Sequence, residues 1–143
     1  MLRKMYLFLF ILLVMLTFVS IAYSQAEKNT VRLPSGELVC DLNGEWNTLY
    51  EPYGPMEHFG KIKSMIKITQ QGHVFVGKSL ISTGFTPAGT EKIRGELDKD
   101  RIKKVQLTRP DKDWSDGKAE MSKDCNKILI DDNDGLRMTL ERK

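Results

Sequence analysis

Cysteine and histidine are both scarce, at two of each in 143 residues. A disulfide-dense scaffold needs more cysteines than that. No C-x-x-C pair occurs, so a thioredoxin-type redox centre has no motif. Two histidines cannot build an ordinary zinc site without help from carboxylates, and no metal or other cofactor is expected. Positive charge is in small excess, 22 Lys and Arg against 19 Asp and Glu, which argues against nucleic acid as a partner. No Gly-x-Ser-x-Gly elbow is present to present a nucleophilic serine. Beyond residue 24 no stretch carries the apolar spacing of a long amphipathic helix, which excludes a helical bundle.

The chain does carry a sharply bounded apolar start. Arg3 and Lys4 precede a nearly continuous apolar run from Met5 to Val19, and Ala22-Tyr23-Ser24 sets small residues three places and one place before Gln25. This is the layout of a secretory signal-peptide helix over 1–24. An uncleaved anchor helix is the alternative, because the run approaches the roughly 17–25 residues that span a bilayer. It would be the only membrane contact. Cleavage leaves 119 residues with 20 basic and 19 acidic groups. The expected location is extracytoplasmic, periplasmic or secreted. In such an oxidising compartment the two cysteines, Cys40 and Cys125, are expected to form one structural disulfide.

Residues 25–40 read as a loose lead-in. From Asp41 the pattern becomes short strands and turns. The expected strands are 43–50, 61–70, 73–82, 90–98, 101–109, 114–122, 126–131 and 135–142. Several alternate with period two, as half-buried strands do. In 61–70, Ile62, Ser64, Ile66 and Ile68 oppose Lys61, Lys63 and Lys67; in 90–98, Ile93, Gly95 and Leu97 oppose Lys92, Arg94 and Glu96. Gln71-Gly72, Pro87-Ala88-Gly89, Asp98-Lys99-Asp100, Pro110-Asp111 and Asp131 to Gly135 punctuate them. One short helical turn fits within 52–60. After residue 24 the chain holds only 26 Leu, Ile, Val and Phe, a lean supply that suits a thin shell. The expected fold is therefore all-β, an eight-stranded antiparallel up-and-down barrel over 41–143. A two-sheet sandwich and a five-stranded open barrel are the alternatives. In the meander, Cys40 and the link holding Cys125 fall at the same end, beside strands that neighbour one another. The interior glycines Gly77, Gly95 and Gly117 suit the bends of a small barrel.

Three stretches carry a family resemblance: Asp41-Leu42-Asn43-Gly44-Glu45-Trp46 with its Gly-x-Trp, Ile68 to Gly77 followed by Ile93-Arg94-Gly95-Glu96-Leu97, and the terminal Leu136 to Arg142. Together they resemble the lipocalin-like, calycin-type small exported β-barrels of bacteria. The resemblance implies that Trp46 plugs the closed end and that Arg142 packs over it. It also implies binding of a small or lipidic ligand.

On this reading the links at the opposite end, 51–60, 83–89, 109–113 and 131–135, are the longer ones and the place for a site. Tyr53, His58, Phe59 and Phe85 would form an aromatic rim, with Phe75 and Trp114 as further candidate ligand contacts. Phe75, Ile93, Leu97, Val105, Leu107, Met121, Ile128, Ile130 and Met138 are expected to line a connected cavity. The Asp131-Asp132-Asn133-Asp134-Gly135 cluster has the oxygens of a calcium loop. Its spacing departs from an EF-hand and favours a solvated turn. The leading expectation is a monomeric, non-enzymatic barrel binding a small apolar or amphipathic ligand. The alternative is a protein-binding module of the cell envelope, an enzyme inhibitor or accessory factor, with 51–60 as its contact loop.

Overall fold

A computed structural model of the chain describes residues 29–110 and 113–143. The expected signal segment 1–24 and turn residue Asp111 lie outside the described residues. The strands are β1 (Thr30–Arg32), β2 (Leu38–Cys40), β3 (Gly44–Pro52), β4 (Ile62–Gln71), β5 (Val74–Ser79), β6 (Glu91–Asp98), β7 (Arg101–Thr108), β8 (Trp114–Met121), β9 (Lys127–Asp131) and β10 (Leu136–Arg142). Each of β3 to β10 pairs antiparallel with its successor, and β10 returns to pair with β3, from Leu136 opposite Pro52 to Arg142 opposite Trp46. The result is a closed eight-stranded up-and-down barrel. Closure removes the sheet edges that a sandwich or open barrel would leave to be covered.

Period-two alternation drives the closure. In β4, Ile66 and Ile68 are buried while Lys63 and Lys67 face water. In β10, Leu136, Met138 and Leu140 are buried while Arg137 and Glu141 are exposed. Each such aliphatic side chain stabilises the fold by about 1.5–3 kcal/mol before entropy is counted. The polarity, apolar inside and charged outside, is the reverse of a membrane-spanning barrel.

The barrel is too narrow for side chains at every inward position. At Gly95 an added Cβ would stand 2.4 Å from the Lys104 carbonyl oxygen and 2.5 Å from Phe75 Cζ. At Gly77 it would stand 2.6 Å from Ile93 Cγ1. These glycines leave room for the Phe75 ring and the Ile93 side chain.

The lower end is sealed. Trp46 is fully buried and donates its indole N–H to the Leu42 carbonyl at 3.0 Å. Arg142 covers it, with its guanidinium carbon 4.6 Å from the indole centre. The same guanidinium donates to the carbonyls of Asp41 and Asn43 and to the Asn126 side chain. Gly44 has φ +125°, and a Cβ there would press on the guanidinium at 3.4 Å.

Of the expected loose lead-in 25–40, the described part from Asn29 onward is ordered. β1 and β2 form a small two-stranded sheet closed by a turn at Gly36. That sheet is tied to the barrel floor. Asn29 N donates to Asp124 O and Cys40 N to Lys99 O. Cys40 and Cys125 are joined by a disulfide, with Cα atoms 5.8 Å apart. The pairing and its position at one end agree with the sequence topology.

A β-bulge interrupts the regular ladder near the upper end. Gly77 pairs with Ile93, but the next residue, Lys78, pairs with Glu91. Lys92 is the extra residue. Both Lys92 and Ile93 are consequently buried.

Candidate functional site

The inward face changes character from bottom to top. Below lie Trp46, Ile68, Phe75, Leu97, Val105, Ile128 and Leu140, fully or almost fully buried. Above them the inward positions turn polar: Thr48 pairs with Ser64 across β3 and β4, and Ser79 pairs with Ile66. Thr48, Ser64 and Ser79 are all buried, and so is Thr108, which pairs with Trp114 at the end of β7.

Among the described residues, those expected to line a deep cavity pack against one another instead. Phe75, Ile93, Leu97, Val105, Leu107, Ile128, Ile130 and Met138 pack into one continuous core, with Met121 against its margin. The lean set of large side chains fills so narrow a barrel because glycines at Gly77, Gly95 and Gly117 bring the strands close. A smaller pocket of about 20 Å³ lies instead at the upper end. Its polar lining is Tyr50, Ser64, Ser79, Thr83, Thr86, Lys92 and Thr108, and its apolar lining is Pro52, Ile62, Phe85, Pro110 and Leu136. That volume holds about one or two water-sized occupants.

Lys92 dominates the pocket. Period-two reading puts it outside with Arg94 and Glu96, and the bulge overturns that placement. Its side chain is 8% exposed, and its ammonium donates to Thr86 Oγ1 at 3.1 Å. The Tyr50 ring lies 5.4 Å from Nζ, within cation–π range. No carboxylate among the described residues ion-pairs with it. Burial pushes its ionisation below the ordinary lysine value. Burial also raises that of Tyr50, against a smaller opposing influence from Thr48 nearby. Thr48 and Tyr50 do not meet hydrogen-bond geometry, however, and the hydroxyls of Thr48, Tyr50 and Thr108 are buried without a partner. An unmet buried polar group costs about 1–3 kcal/mol.

The link 80–90 closes over this pocket. It is braced by Ser79 N to Thr90 O, Gly89 N to Ser79 O and Thr83 N to Thr86 O. Phe85 meets Phe59 edge to face at 5.7 Å. Phe59 belongs to the 3-10 turn Gly54–Phe59, the short helical turn expected in 52–60. Met56 anchors that turn by burial against Gly135.

Of the six candidate ligand contacts, only Phe85 lines this pocket. Trp114 lies on the outer face beneath the Arg94 guanidinium at 4.1 Å, in a groove on the other side of the 85–90 segment that also reaches Lys92 and Thr108. Phe75 is in the core. Tyr53 donates its hydroxyl to Asp131 at 2.7 Å and lies under Arg137. His58 stacks on Phe59 and contacts the Pro55 carbonyl oxygen at 3.0 Å. Tyr53, Phe59 and Phe85 thus brace the upper links more than they line a site.

The acidic cluster spends most of its oxygens within the protein, and Asp132 Oδ2 is buried without a partner among the described residues. Asp131 accepts from Tyr53, Asn133 N and Arg137. Asp132 accepts from Asp134 N and Leu136 N, both at 2.8 Å, and Asp134 pairs with Arg109. This is a hairpin turn held by its own side chains, with Asn133 and Gly135 at positive φ.

Comparison with family models, curated proteins and solved structures finds no significant match to this chain.

Proposed function

We propose that this protein is an exported, non-enzymatic, lipocalin-like barrel that binds a small amphipathic ligand at its upper end rather than in its depth. The observation that carries the reading is the pocket around Lys92. There Lys92, with its buried ammonium, and Tyr50 and Thr108, whose buried hydroxyls have no partner among the described residues, share a lining with Pro52, Ile62, Phe85 and Leu136. Convergent polar groups in an apolar recess are the usual makeup of a small-molecule site. Core positions do not ordinarily leave such groups unmet. Entry of anything larger than about two waters requires the 80–90 link to move outward. The Cys40–Cys125 disulfide supports an oxidising, extracytoplasmic setting.

Chemical-shift mapping with 11-(dansylamino)undecanoic acid tests the reading. Saturable shifts confined to Ser64, Ser79, Thr86, Lys92 and their neighbours are expected. No binding, or shifts spread over the outer face, would overturn it.

A second reading, a protein-binding module, is favoured by a separate observation. The core is filled, and Leu80, Ile81 and Phe85 on one link are 36–44% exposed. Pull-down lost on Leu80→Ser and Ile81→Ser substitution with stability retained would favour it.

A further inference from the structure

Resting on the pocket as a ligand site, we infer that its ligand carries a single carboxylate that sits against Lys92 Nζ. Lys92 is 92% buried, and among the described residues its ammonium donates only to a neutral oxygen, that of Thr86. A hydrogen bond to a hydroxyl orients an ammonium without neutralising it, and the Tyr50 ring at 5.4 Å offers only a weak quadrupole. Tyr50 and Thr108 also line the pocket, each 7% exposed, and each carries a buried hydroxyl that has no partner among the described residues and is able to donate. One cation and two neutral donors around a single recess match an acceptor that is negatively charged and has several lone pairs. An alcohol or amide head would answer the hydroxyls and leave the charge unmet. Charge narrows the class further. Among the described residues Lys92 is the one charged residue lining the pocket, which matches the single charge of a carboxylate better than the nearly two charges of a phosphate monoester. The apolar walls, Pro52, Ile62, Phe85 and Leu136, then take the first carbons of an attached chain.

The groove on the far side of Phe85 supports the same polarity. Lys92, Thr86 and Thr108 line it too, together with Arg94 and Arg109. An anion approaching through this groove passes Arg94 and the Asp134-paired Arg109 before it meets Lys92. Glu91 shares that groove, so the positive field there is partly offset, and Lys92 itself remains the group that discriminates.

The test compares 11-(dansylamino)undecanoic acid with its methyl ester by fluorescence titration of the non-reduced protein, in wild type and in Lys92→Met. Wild type is expected to prefer the acid by about tenfold or more. Lys92→Met is expected to lose that preference while keeping its affinity for the ester and an undiminished melting temperature. Equal affinity for acid and ester in wild type, or an acid preference that survives in Lys92→Met, overturns the carboxylate assignment and leaves an amphiphile site standing. Binding of neither probe overturns both. Displacement of the bound acid is expected by dodecanoate and not by dodecyl phosphate, sodium acetate or sodium chloride. Equal displacement by dodecyl phosphate, or by acetate or chloride at matched concentration, overturns the assignment in favour of a general anion site.

Discussion

Arg142 and Trp46 face one another across the seam where the last barrel strand meets the first, with the guanidinium carbon 4.6 Å from the indole centre. The guanidinium also answers the carbonyls of Asp41 and Asn43, so one side chain seals the floor and fastens the segment that enters it. Arg142→Ala removes the ring contact and leaves those oxygens without their charged donor. A loss of about 2–3 kcal/mol is expected in urea unfolding. Arg142→Lys is expected to recover only part of it, because an ammonium cannot fork. A change within 0.5 kcal/mol for Arg142→Ala, about the size of an ordinary surface substitution, would show that Arg142 does not seal the floor.

The disulfide closes a long loop, since Cys40 and Cys125 are 85 residues apart. In the chain-entropy account such a link stabilises by about 4 kcal/mol. Replacing both cysteines by alanine is expected to lower stability by that order. Amide exchange should rise first in β1 and β2, whose three-residue strands have little else to hold them.

Gly95→Ala is expected to destabilise by about 1–3 kcal/mol through overpacking, because the Lys104 carbonyl oxygen at 2.4 Å is backbone and cannot step aside. Gly84→Ala is the control. Nothing lies within 4 Å of its added Cβ, so thermal unfolding should barely change.

Burial lowers the ionisation of Lys92 relative to the unfolded chain. The native state therefore resists the charged form. That penalty is complete at pH below the folded value and fades as pH rises towards the unfolded value of about 10.4. Lys92→Met is expected to be more stable than wild type at pH 7 by about 1 kcal/mol or more. The gain should shrink as pH rises through the lowered folded value towards the unfolded one. A constant difference across that range would show that Lys92 is not held charged in a poorly solvating site.

Asp131 behaves in the opposite sense. Partial burial works to raise its ionisation, but the Tyr53 hydroxyl, the Asn133 N–H and Arg137 outweigh it and hold the carboxyl below the usual range. Its contribution is present above the ordinary carboxylate value and is lost as pH falls through the lowered one. Carboxyl-carbon NMR titration should give a midpoint below about 3.9, and Tyr53→Phe should move it upward. An unmoved midpoint would separate Tyr53 from this network.

Much of the barrel was legible because period two is a local property. Ile66 and Ile68 against Lys63 and Lys67 declare an inside and an outside without reference to any partner strand. All eight barrel strands lie where that alternation puts them. β1 and β2 were not legible, since three residues are too few to show a period and their support comes from Asp124, Lys99 and Cys125 far along the chain. The candidate site was least legible. Lys92 alternates with Ile93 on paper, and only the register slip between β5 and β6 turns it inward. One available signal was the inward hydroxyl at Ser64, which breaks an otherwise aliphatic row at the level of the pocket.

The sequence by itself determined the all-β architecture and the pairing of Cys40 with Cys125. It also pointed to Trp46 and Arg142 as the floor. The first two follow from local alternation, turn residues and the simple count of two thiols, and the third only from the family resemblance carried by Gly-x-Trp. Only the tertiary structure decided that the core is filled, that the aromatic side chains of the upper links mostly brace one another, and that Lys92 is buried. Those outcomes depend on barrel radius, strand register and the approach of glycine backbones such as Gly95 to rings such as Phe75. They are distances between segments far apart in the chain, and no local pattern encodes them.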